Sequence, residues 1–155
     1  MMNDGTKDLY LIFSLGERLF GLEVASLTEI TSIQPISPLA DVPDYVKGVI
    51  NLRNRIIPAI DMRRRLKMEE IPYHERTCIL VVNIKNNTVC LLVDSVKEIQ
   101  RISSDRLENT PVGEGMERSA ILRSVTGHSG SVIMIVSLEH LTDEIVFRSA
   151  KEIVI

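Results

Sequence analysis

The sequence has few of the residues that nucleic-acid-binding sites need. It contains no tryptophan, and aromatic residues make up only 4% of its 155 residues. Single-stranded nucleic acids bind by stacking their bases on aromatic side chains, so this chain offers them little to stack on. The formal net charge is -3, so the protein has no overall positive field to attract phosphates. Both shortages count against a small nucleic-acid-binding protein.

Residues with the spacing of a catalytic or metal site are also scarce. The only histidines are His74, His128 and His140, and none has a cysteine or a second histidine at metal-ligand spacing. His128 and Ser129 lie in the glycine turn TGHSG, but a nucleophile elbow needs the order G-x-S-x-G. The chain has neither a phosphate-binding loop nor the pattern G-x-G-x-x-G. We therefore expect no enzyme activity, no cofactor and no metal.

The only two cysteines are predicted to be reduced and buried. Cys78 and Cys90 lie in adjacent predicted strands. A turn at Asn86 and Asn87 would place Asn83, rather than Cys78, opposite Cys90, so the two thiols would not face each other. Such unpaired thiols are typical of a reducing compartment.

Long apolar runs are absent as well. No stretch of about 18 apolar residues could span a bilayer, and the first ten residues are polar, unlike a signal peptide. We therefore expect a cytoplasmic protein that does not insert into the membrane.

Short apolar runs with turn residues between them predict an all-β fold. No long crossover helix separates the runs, which favours small antiparallel barrels over a parallel sheet. The segment 24–30 is compatible with either a short helix or a strand. Ser137 is predicted to cap a C-terminal helix. The predicted strands are 9–15, 18–24, the two arms of a hairpin over 49–62, 77–84, 88–93, 96–103, 121–125 and 132–136.

The hairpin over 49–62 is the most informative part of the chain. Its apolar arms flank a four-residue connection that begins after Leu52, in which Asn54 tolerates the positive φ of a tight turn. This loop length places Leu52 opposite Ile57. Pro58 cannot donate a backbone hydrogen bond, so the second arm is predicted to be an edge strand or to carry a bulge.

Several charged residues have two possible interpretations from their local pattern. Arg53 at the hairpin tip cannot be a core residue, so it is either a solvated turn arginine or an anchor of a protein interface. Glu29 has the same two interpretations. The basic cluster 63–67 is either a solvated face balanced by Glu69 and Glu70 or a basic contact in a protein complex.

Five fragments of the chain, in order, resemble the CheW-like family of chemotaxis coupling proteins. YLIFSLGERLFGLEV resembles the opening hairpin "F-x-L-G-x-x-x-Y-G-I-x-V", and LTEI resembles "V-x-E-I". VPDYVKGVINLRNRIIPAIDMRRRL resembles "P-x-x-V-x-G-V-x-N-L-R-G-x-I-x-P-V-x-D-L-R-x-x-L". NTVCLLVDSVKEIQRIS resembles "x-x-x-G-L-L-V-D-x-V-x-E-V-x-x-I", and VIMIVSLEHL resembles the closing strand and helix. The matches run from about Tyr10 to Leu141.

The resemblance implies a particular architecture. It is an all-β fold with short helices and a C-terminal helix, in which two SH3-like five-stranded β-barrels lie side by side. We expect a single CheW-like domain over 9–150. Its approximate subdomains would be 9–68 and 77–136, with a helix over 138–150 packing back on the first.

The resemblance also implies a function without chemistry. Members of this family are adaptors that couple chemoreceptors to a CheA-type histidine kinase in bacterial chemotaxis arrays. The implied partners are the regulatory domain of the kinase and the cytoplasmic tip of a methyl-accepting chemoreceptor, at the inner face of the membrane. An adaptor of a pilus-motility or other non-flagellar chemosensory system is an alternative.

The resemblance further implies which residues contact partners. Glu29 and Arg53 would belong to the receptor- and kinase-facing surfaces, and Gly48 and Asp94 would lie near the groove between the barrels. Two positions depart from the family pattern: Asn54 replaces the glycine of "L-R-G", and Cys90 replaces the glycine before "L-L-V-D". We expect both departures to alter partner preference. The full set of predicted interface residues is Glu29, Gly48, Asn51, Arg53, Asn54 and Asp94.

Overall fold

The strands of the protein form two sheets. The computed structural model describes residues 5–109, 121–145 and 147. Sheet A has the strand order β8-β1-β2-β11-β10-β9, and sheet B has the order β3-β6-β7-β5-β4. The all-β class and the division of the strands between two sheets are thus confirmed, although sheet A has six strands rather than five. The strands are β1 Leu9–Leu15, β2 Arg18–Glu23, β3 Leu27–Ser32, β4 Val46–Leu52, β5 Arg55–Asp61, β6 Cys78–Ile84, β7 Asn87–Val93, β8 Ser95–Arg101, β9 Glu108–Asn109, β10 Leu122–His128 and β11 Ser131–Val136.

The two sheets divide the chain differently from the predicted subdomains 9–68 and 77–136. The chain begins in sheet A, crosses to sheet B for β3 to β7, and returns to sheet A from β8 onward. A cut near residue 70 would separate β5 from β7, which pair in parallel with Ala59 opposite Cys90. Parallel pairing between distant segments leaves no local signal in the sequence.

The buried apolar side chains form three clusters, and one of them holds the two sheets together. One cluster is shared by both sheets and includes Phe13 and Phe20, whose rings stack with centroids 5.6 Å apart, together with Leu80, Val82 and Leu91. A second cluster lies on the other face of sheet B, and a third lies on the other face of sheet A. The strands in the middle of each sheet are therefore buried on both faces, which explains their nearly continuous apolar runs. The predicted core positions of Leu80, Val82 and Leu91 are confirmed, because each is fully buried.

Both hairpins of sheet B, β4–β5 and β6–β7, turn on two residues, so the predicted registers were wrong. Arg53 and Asn54 both have positive φ, at 52° and 65°. This is the pattern of a type I′ turn. As a result, Leu52 lies opposite Arg55 rather than Ile57. Positive φ is uncommon for an arginine, so the local pattern does not indicate that Arg53 takes part in a two-residue turn.

The hairpin between β6 and β7 departs from its predicted register in the same way. Lys85 and Asn86 form its turn, with φ values of 49° and 67°. Cys90 lies opposite Val81, and Cys78 lies opposite Val93. Both cysteines are free, as predicted, although the residues that face them differ from the prediction.

At the β4 edge of sheet B, the backbone of Ser37 packs closely against that of Val49. Ser37 and Val49 exchange two backbone hydrogen bonds of 2.9 and 2.8 Å. Pro58 lies opposite Val49. Because Val49 uses its backbone groups on Ser37, the proline costs no hydrogen bond in the ladder between β4 and β5. The strand that contains Pro58, β5, lies between β7 and β4 and has no bulge at this residue. The prediction of an edge strand or a bulge was therefore wrong.

Gly48 makes this approach possible. Its φ is 149°, and a Cβ atom built on it would lie 2.0 Å from the carbonyl oxygen of Ser37. Only a residue without a side chain fits there.

The chain after β11 is a turn in its described part. Ser137 precedes a 3-10 helix, Leu138–His140, followed by turns through residue 144. The helix predicted over 138–150 therefore begins as a 3-10 turn, and most of its second half lies outside the described residues. The α-helix α1, Met62–Arg65, is one turn long and is capped by the Asp61 carboxylate. In the described ranges, no helix has the length and hydropathy needed to cross a bilayer.

We predict that Gly48→Ala lowers the free energy of unfolding by about 3 kcal/mol or more, because the added methyl group would overlap the Ser37 carbonyl. Urea denaturation followed by circular dichroism measures this change. Gly127→Ala is the matched control, because the nearest atom to its Cβ would be 4.0 Å away. Equal stability of Gly48→Ala and wild type would contradict the conclusion that only glycine fits against Ser37.

Candidate functional site

An exposed ion pair crosses one end of sheet B. Arg53 Nη1 donates to Glu29 Oε1 at 2.8 Å. Glu29 lies on β3 and Arg53 at the tip of the β4–β5 hairpin, and these elements stand at opposite sides of the sheet order. The pair therefore spans the curved sheet. The structure thus brings together two of the residues that the sequence predicted as interface residues.

The fold does not depend on Arg53. Its side chain is 81% exposed, whereas that of Glu29 is 27% exposed. A pair with one partner so exposed contributes at most about 1 kcal/mol to stability, because water and salt screen it. Part of the guanidinium fork stays available to a partner protein.

Polar and apolar groups surround this pair at the hairpin tip. Asn51 and Asn54, two of the residues predicted to contact partners, are exposed. Ile56 lies opposite Asn51 and is 63% exposed, which the sequence reasoning missed. An exposed isoleucine beside arginine and asparagine is a composition typical of protein interfaces.

Cys90 does not belong to this surface. It is completely buried on the face of sheet B opposite the shared core. Burial, with a smaller contribution from the charge of Glu29, raises the pKa of the Cys90 thiol to about 11. The thiol is therefore protonated at neutral pH. Its side chain points into the second apolar cluster, so Cys90 can affect partner preference only indirectly.

Gly48 and Asp94 have structural roles that the family pattern did not indicate. Gly48 is buried and positions the β4–β5 hairpin against Ser37. Asp94 lies between β7 and β8, where the chain crosses from sheet B to sheet A. It therefore lies between the two sheets, and its carboxylate is used within the protein.

The Asp94 carboxylate ties three parts of the chain together. Arg63 Nη2 donates to Oδ2 at 2.6 Å, and Arg63 Nε donates to Oδ1 at 2.9 Å. The backbone N–H of Gly16, in the β1–β2 turn, also donates to Oδ2 at 2.6 Å. The Asp94 and Arg63 side chains are only 15% and 13% exposed. This bidentate, mostly buried pair clamps sheet A to the segment after β5.

The electrostatics of this clamp favour its ionised form. Partial burial on its own would raise the pKa of Asp94. The hydrogen bonds from Arg63 and Gly16, with the charge of Arg63, outweigh that effect and hold the pKa of Asp94 below its ordinary value. Correspondingly, the hydrogen bond to Asp94 raises the pKa of Arg63.

The arginines of α1 are mostly structural, so the interpretation of the cluster as a solvated face was wrong for two of them. Arg65 is buried, donates to the backbone oxygens of His140 and Leu141, and stacks over the Tyr45 ring. Arg64 does pair with Glu70, as the charge balance predicted. The spacing of Met62 and Leu66, both buried, could have placed Arg65 on the inner face.

Two exposed isoleucines extend the apolar faces of the sheets. Ile30 on β3 is 42% exposed and Ile99 on β8 is 53% exposed. They pair with Leu80 and Leu11, which belong to the shared core. Each isoleucine therefore lies on a core-facing side of a sheet, but on an edge strand where the core no longer covers it. Such apolar positions on a polar rim suit a protein partner.

The described residues contain no group of three histidine, cysteine, aspartate or glutamate side chains that could hold a metal ion. The arrangement described above offers instead an exposed charged tip and two apolar edge positions.

Comparison with known families decides what kind of domain this is. The sequence model described as "CheW-like domain" matches residues 9–146. The chain belongs to the CheW-like domain family.

Curated relatives agree with this assignment. "Chemotaxis protein CheW" of Rhizobium meliloti is 33% identical over 139 residues, which are 89% of this chain and 88% of that protein. "Probable chemotaxis protein CheW" of Rhizobium etli is 31% identical over 144 residues, which are 92% of each. The 31% identical "Chemotaxis protein CheW" of Klebsiella aerogenes matches 66% of this chain, and this match spans only 61% of that relative, less than two thirds of its length.

A solved structure shares the fold of this CheW-like domain. It is titled "Crystal structure of scaffolding protein TtCheW from Thermoanaerobacter tengcongensis". The two structures superpose with a TM-score of 0.80 at 27% identity, over 88% of this chain and 92% of that one. As a member of this family, the protein is not an enzyme.

We predict that Asp94→Asn lowers the free energy of unfolding of this CheW-like domain by about 2 kcal/mol at pH 7, because it leaves Arg63 without its anion. The folded-state pKa of Asp94 is depressed. The stabilisation that the Asp94 carboxylate contributes is therefore complete at a pH above the ordinary aspartate pKa. It is lost as the pH falls through the lower pKa that Asp94 has in the folded protein. Denaturation curves of both proteins should converge below about pH 4.

The control for Asp94→Asn is Glu17→Gln, an exposed position in the neighbouring β1–β2 turn. We expect no loss of stability for this variant at pH 7. A stability difference between wild type and Asp94→Asn that stayed constant down to pH 2 would show that the carboxylate charge is not what the clamp uses.

Proposed function

We propose that this protein is a scaffold that couples chemoreceptors to a CheA-type histidine kinase in a chemotaxis array. Its membership of the CheW-like family supports this function. The observation that carries the proposal is the exposed side chain of Arg53, which Glu29 holds in place at one end of sheet B. The stability of the fold does not depend on this ion pair. A residue of this kind is suited to bind a partner.

The regulatory domain of the kinase is the partner we propose for the tip of the β4–β5 hairpin. Glu29, Asn51, Arg53 and Asn54 would form its polar part, and Ile56 would supply an apolar contact. Arginine is favoured at the centre of protein interfaces because its planar fork binds carboxylates and carbonyls in a fixed geometry. Gly48 and Asp94 support this surface indirectly, by fixing the hairpin and the relation between the sheets.

The cytoplasmic tip of a receptor is the partner we propose for the apolar edge positions. An amphipathic helix of the receptor tip would bury its apolar face on exposed side chains such as Ile30 and Ile99. Binding to receptors would bring the protein to the inner face of the membrane. Each contact can be weak, because an array makes binding multivalent.

The proposed function requires no chemical step. A scaffold that binds receptor and kinase on different surfaces transmits a change by favouring one conformation of the kinase over another. The rigid core shared by the two sheets suits this task, because displacement of one surface is then passed to the other.

We predict that Arg53→Glu and Glu29→Arg each weaken binding to the regulatory domain of the CheA-type kinase from the same genome by about tenfold or more. Isothermal calorimetry with the purified proteins measures the affinity. Both variants should keep the unfolding temperature of the wild type within a few degrees, because the ion pair is exposed.

Arg18→Glu is the matched control for the kinase titration. Arg18 is exposed at the tip of the β1–β2 hairpin in sheet A, and the substitution makes the same change of charge. We expect wild-type affinity for this variant. If the wild-type protein binds no kinase regulatory domain of this type, the proposed function is wrong. If both charge reversals bind like wild type, the assignment of the surface is wrong.

We also predict that Ile99→Ser reduces binding to a soluble fragment of the receptor tip by about threefold to tenfold, because it removes exposed apolar contact area. A pull-down titration with the fragment measures this loss, and kinase binding by the same variant serves as its control. Equal loss of both activities would argue against separate surfaces.

A further inference from the structure

Sheet B presents two hairpin turns of the same kind. The β4–β5 turn is Arg53-Asn54 and the β6–β7 turn is Lys85-Asn86. Each turn places a basic residue and then an asparagine at positive φ: 52° and 65° in the first, 49° and 67° in the second. Both basic side chains are exposed.

The two turns lie next to each other at one end of the sheet. The strands that follow them, β5 and β7, are parallel neighbours with Ala59 opposite Cys90. Continuing this register towards the turns places Arg55 level with Asn86. Arg55 Nη2 also donates to Thr88 Oγ1 at 3.3 Å, which links the bases of the two hairpins. Two strand spacings, about 10 Å, separate the tips.

The fold does not explain the basic residues in these turns. Long side chains are disfavoured at positive φ, where glycine is preferred, so arginine and lysine make the turns less stable than glycine would. Their ion pairs recover little of this loss. Lys85 Nζ lies 3.7 Å from Asp143 Oδ1, and the two side chains are 60% and 45% exposed. The geometry of the two turns therefore does not require a basic residue at either position.

The charge at this end of the sheet also differs from that of the whole chain. The chain has a net charge of -3. The paired turns nevertheless present Arg53, Arg55 and Lys85 together, with Glu29 and Asp143 as the carboxylates that pair with the tip residues. A local excess of positive charge on an acidic protein attracts an acidic partner surface.

We propose that Lys85 and Asn86 extend the docking surface of Arg53 and Asn54 into a two-pronged basic site for an acidic surface of the kinase regulatory domain. The proposal rests on the proposed function and adds a second contact to it. The two basic tips engage carboxylates about 10 Å apart on the partner. Asn54 and Asn86 add amide donors beside each cation.

Two substitutions at Lys85 test the proposal by calorimetric titration against the regulatory domain of the same-genome kinase. Lys85→Gly relieves the positive φ and removes the charge. We expect its unfolding temperature to equal or exceed that of wild type, while its affinity falls by about threefold to tenfold. Lys85→Glu should lose more than about tenfold, and the salt dependence of binding should become shallower in both variants.

Ser129→Gly is the matched control for the relief of strain. Ser129 has a φ of 47° in the β10–β11 turn of sheet A, so glycine relieves a similar turn without removing a charge. This variant should keep wild-type affinity.

The outcomes separate the two proposals. Reduced affinity with retained or increased stability in Lys85→Gly supports the second contact. Wild-type affinity in both Lys85 variants, with Arg53→Glu still impaired, overturns the second contact and leaves the proposed function in place. A wild-type protein that does not bind the kinase domain overturns both. Loss of stability in Lys85→Gly equal to the loss of binding would mark Lys85 as a structural residue and would also overturn the second contact.

Discussion

The apolar core shared by the two sheets is the constraint on which the rest of the structure depends. Strands from both sheets bury their side chains in it, with Phe13 and Phe20 stacked in sheet A against Leu91 and its neighbours from sheet B. Neither sheet could expose this face to water without losing a large part of its hydrophobic stabilisation. The chain must therefore cross between the sheets at fixed points. At one crossing the Asp94 carboxylate satisfies Arg63 and the Gly16 backbone, so no charge is left unpaired beside the core.

This constraint divides the basic residues into two groups. Arg63 and Arg65 lie close to the core, and their hydrogen bonds are used within the protein. Arg53 and Lys85 lie at hairpin tips, where their side chains are 81% and 60% exposed and contribute little to the fold. Sequence position alone does not separate the groups, since both consist of basic residues next to β-strands. Distance from the shared core does, because desolvation makes a partner obligatory only near the core.

A scaffold gains from this separation of roles. Side chains that are hydrogen-bonded within the protein keep the two sheets in one relative position. Exposed side chains that contribute little to stability remain available for other proteins. The proposed kinase contacts at the tips of sheet B and the proposed receptor contacts at Ile30 and Ile99 would then be held at a fixed distance by a well-packed interior. Signal transfer through such a molecule depends on the geometry of its surfaces rather than on any titrating or reacting group.

The amino-acid sequence by itself determined the β class, the hairpins, the buried positions such as Leu80 and the membership of the CheW-like family, because alternating apolar residues and motif order are local signals. It also placed Glu29 and Arg53 among the candidate contacts. Only the tertiary structure decided that these two residues meet, that Gly48 is a packing requirement and that Asp94 is an internal clamp. Those roles depend on segments far apart in the chain. The hairpin registers could be read only from the structure. Each turn has two consecutive residues at positive φ and neither is glycine, a conformation that the sequence pattern does not reveal.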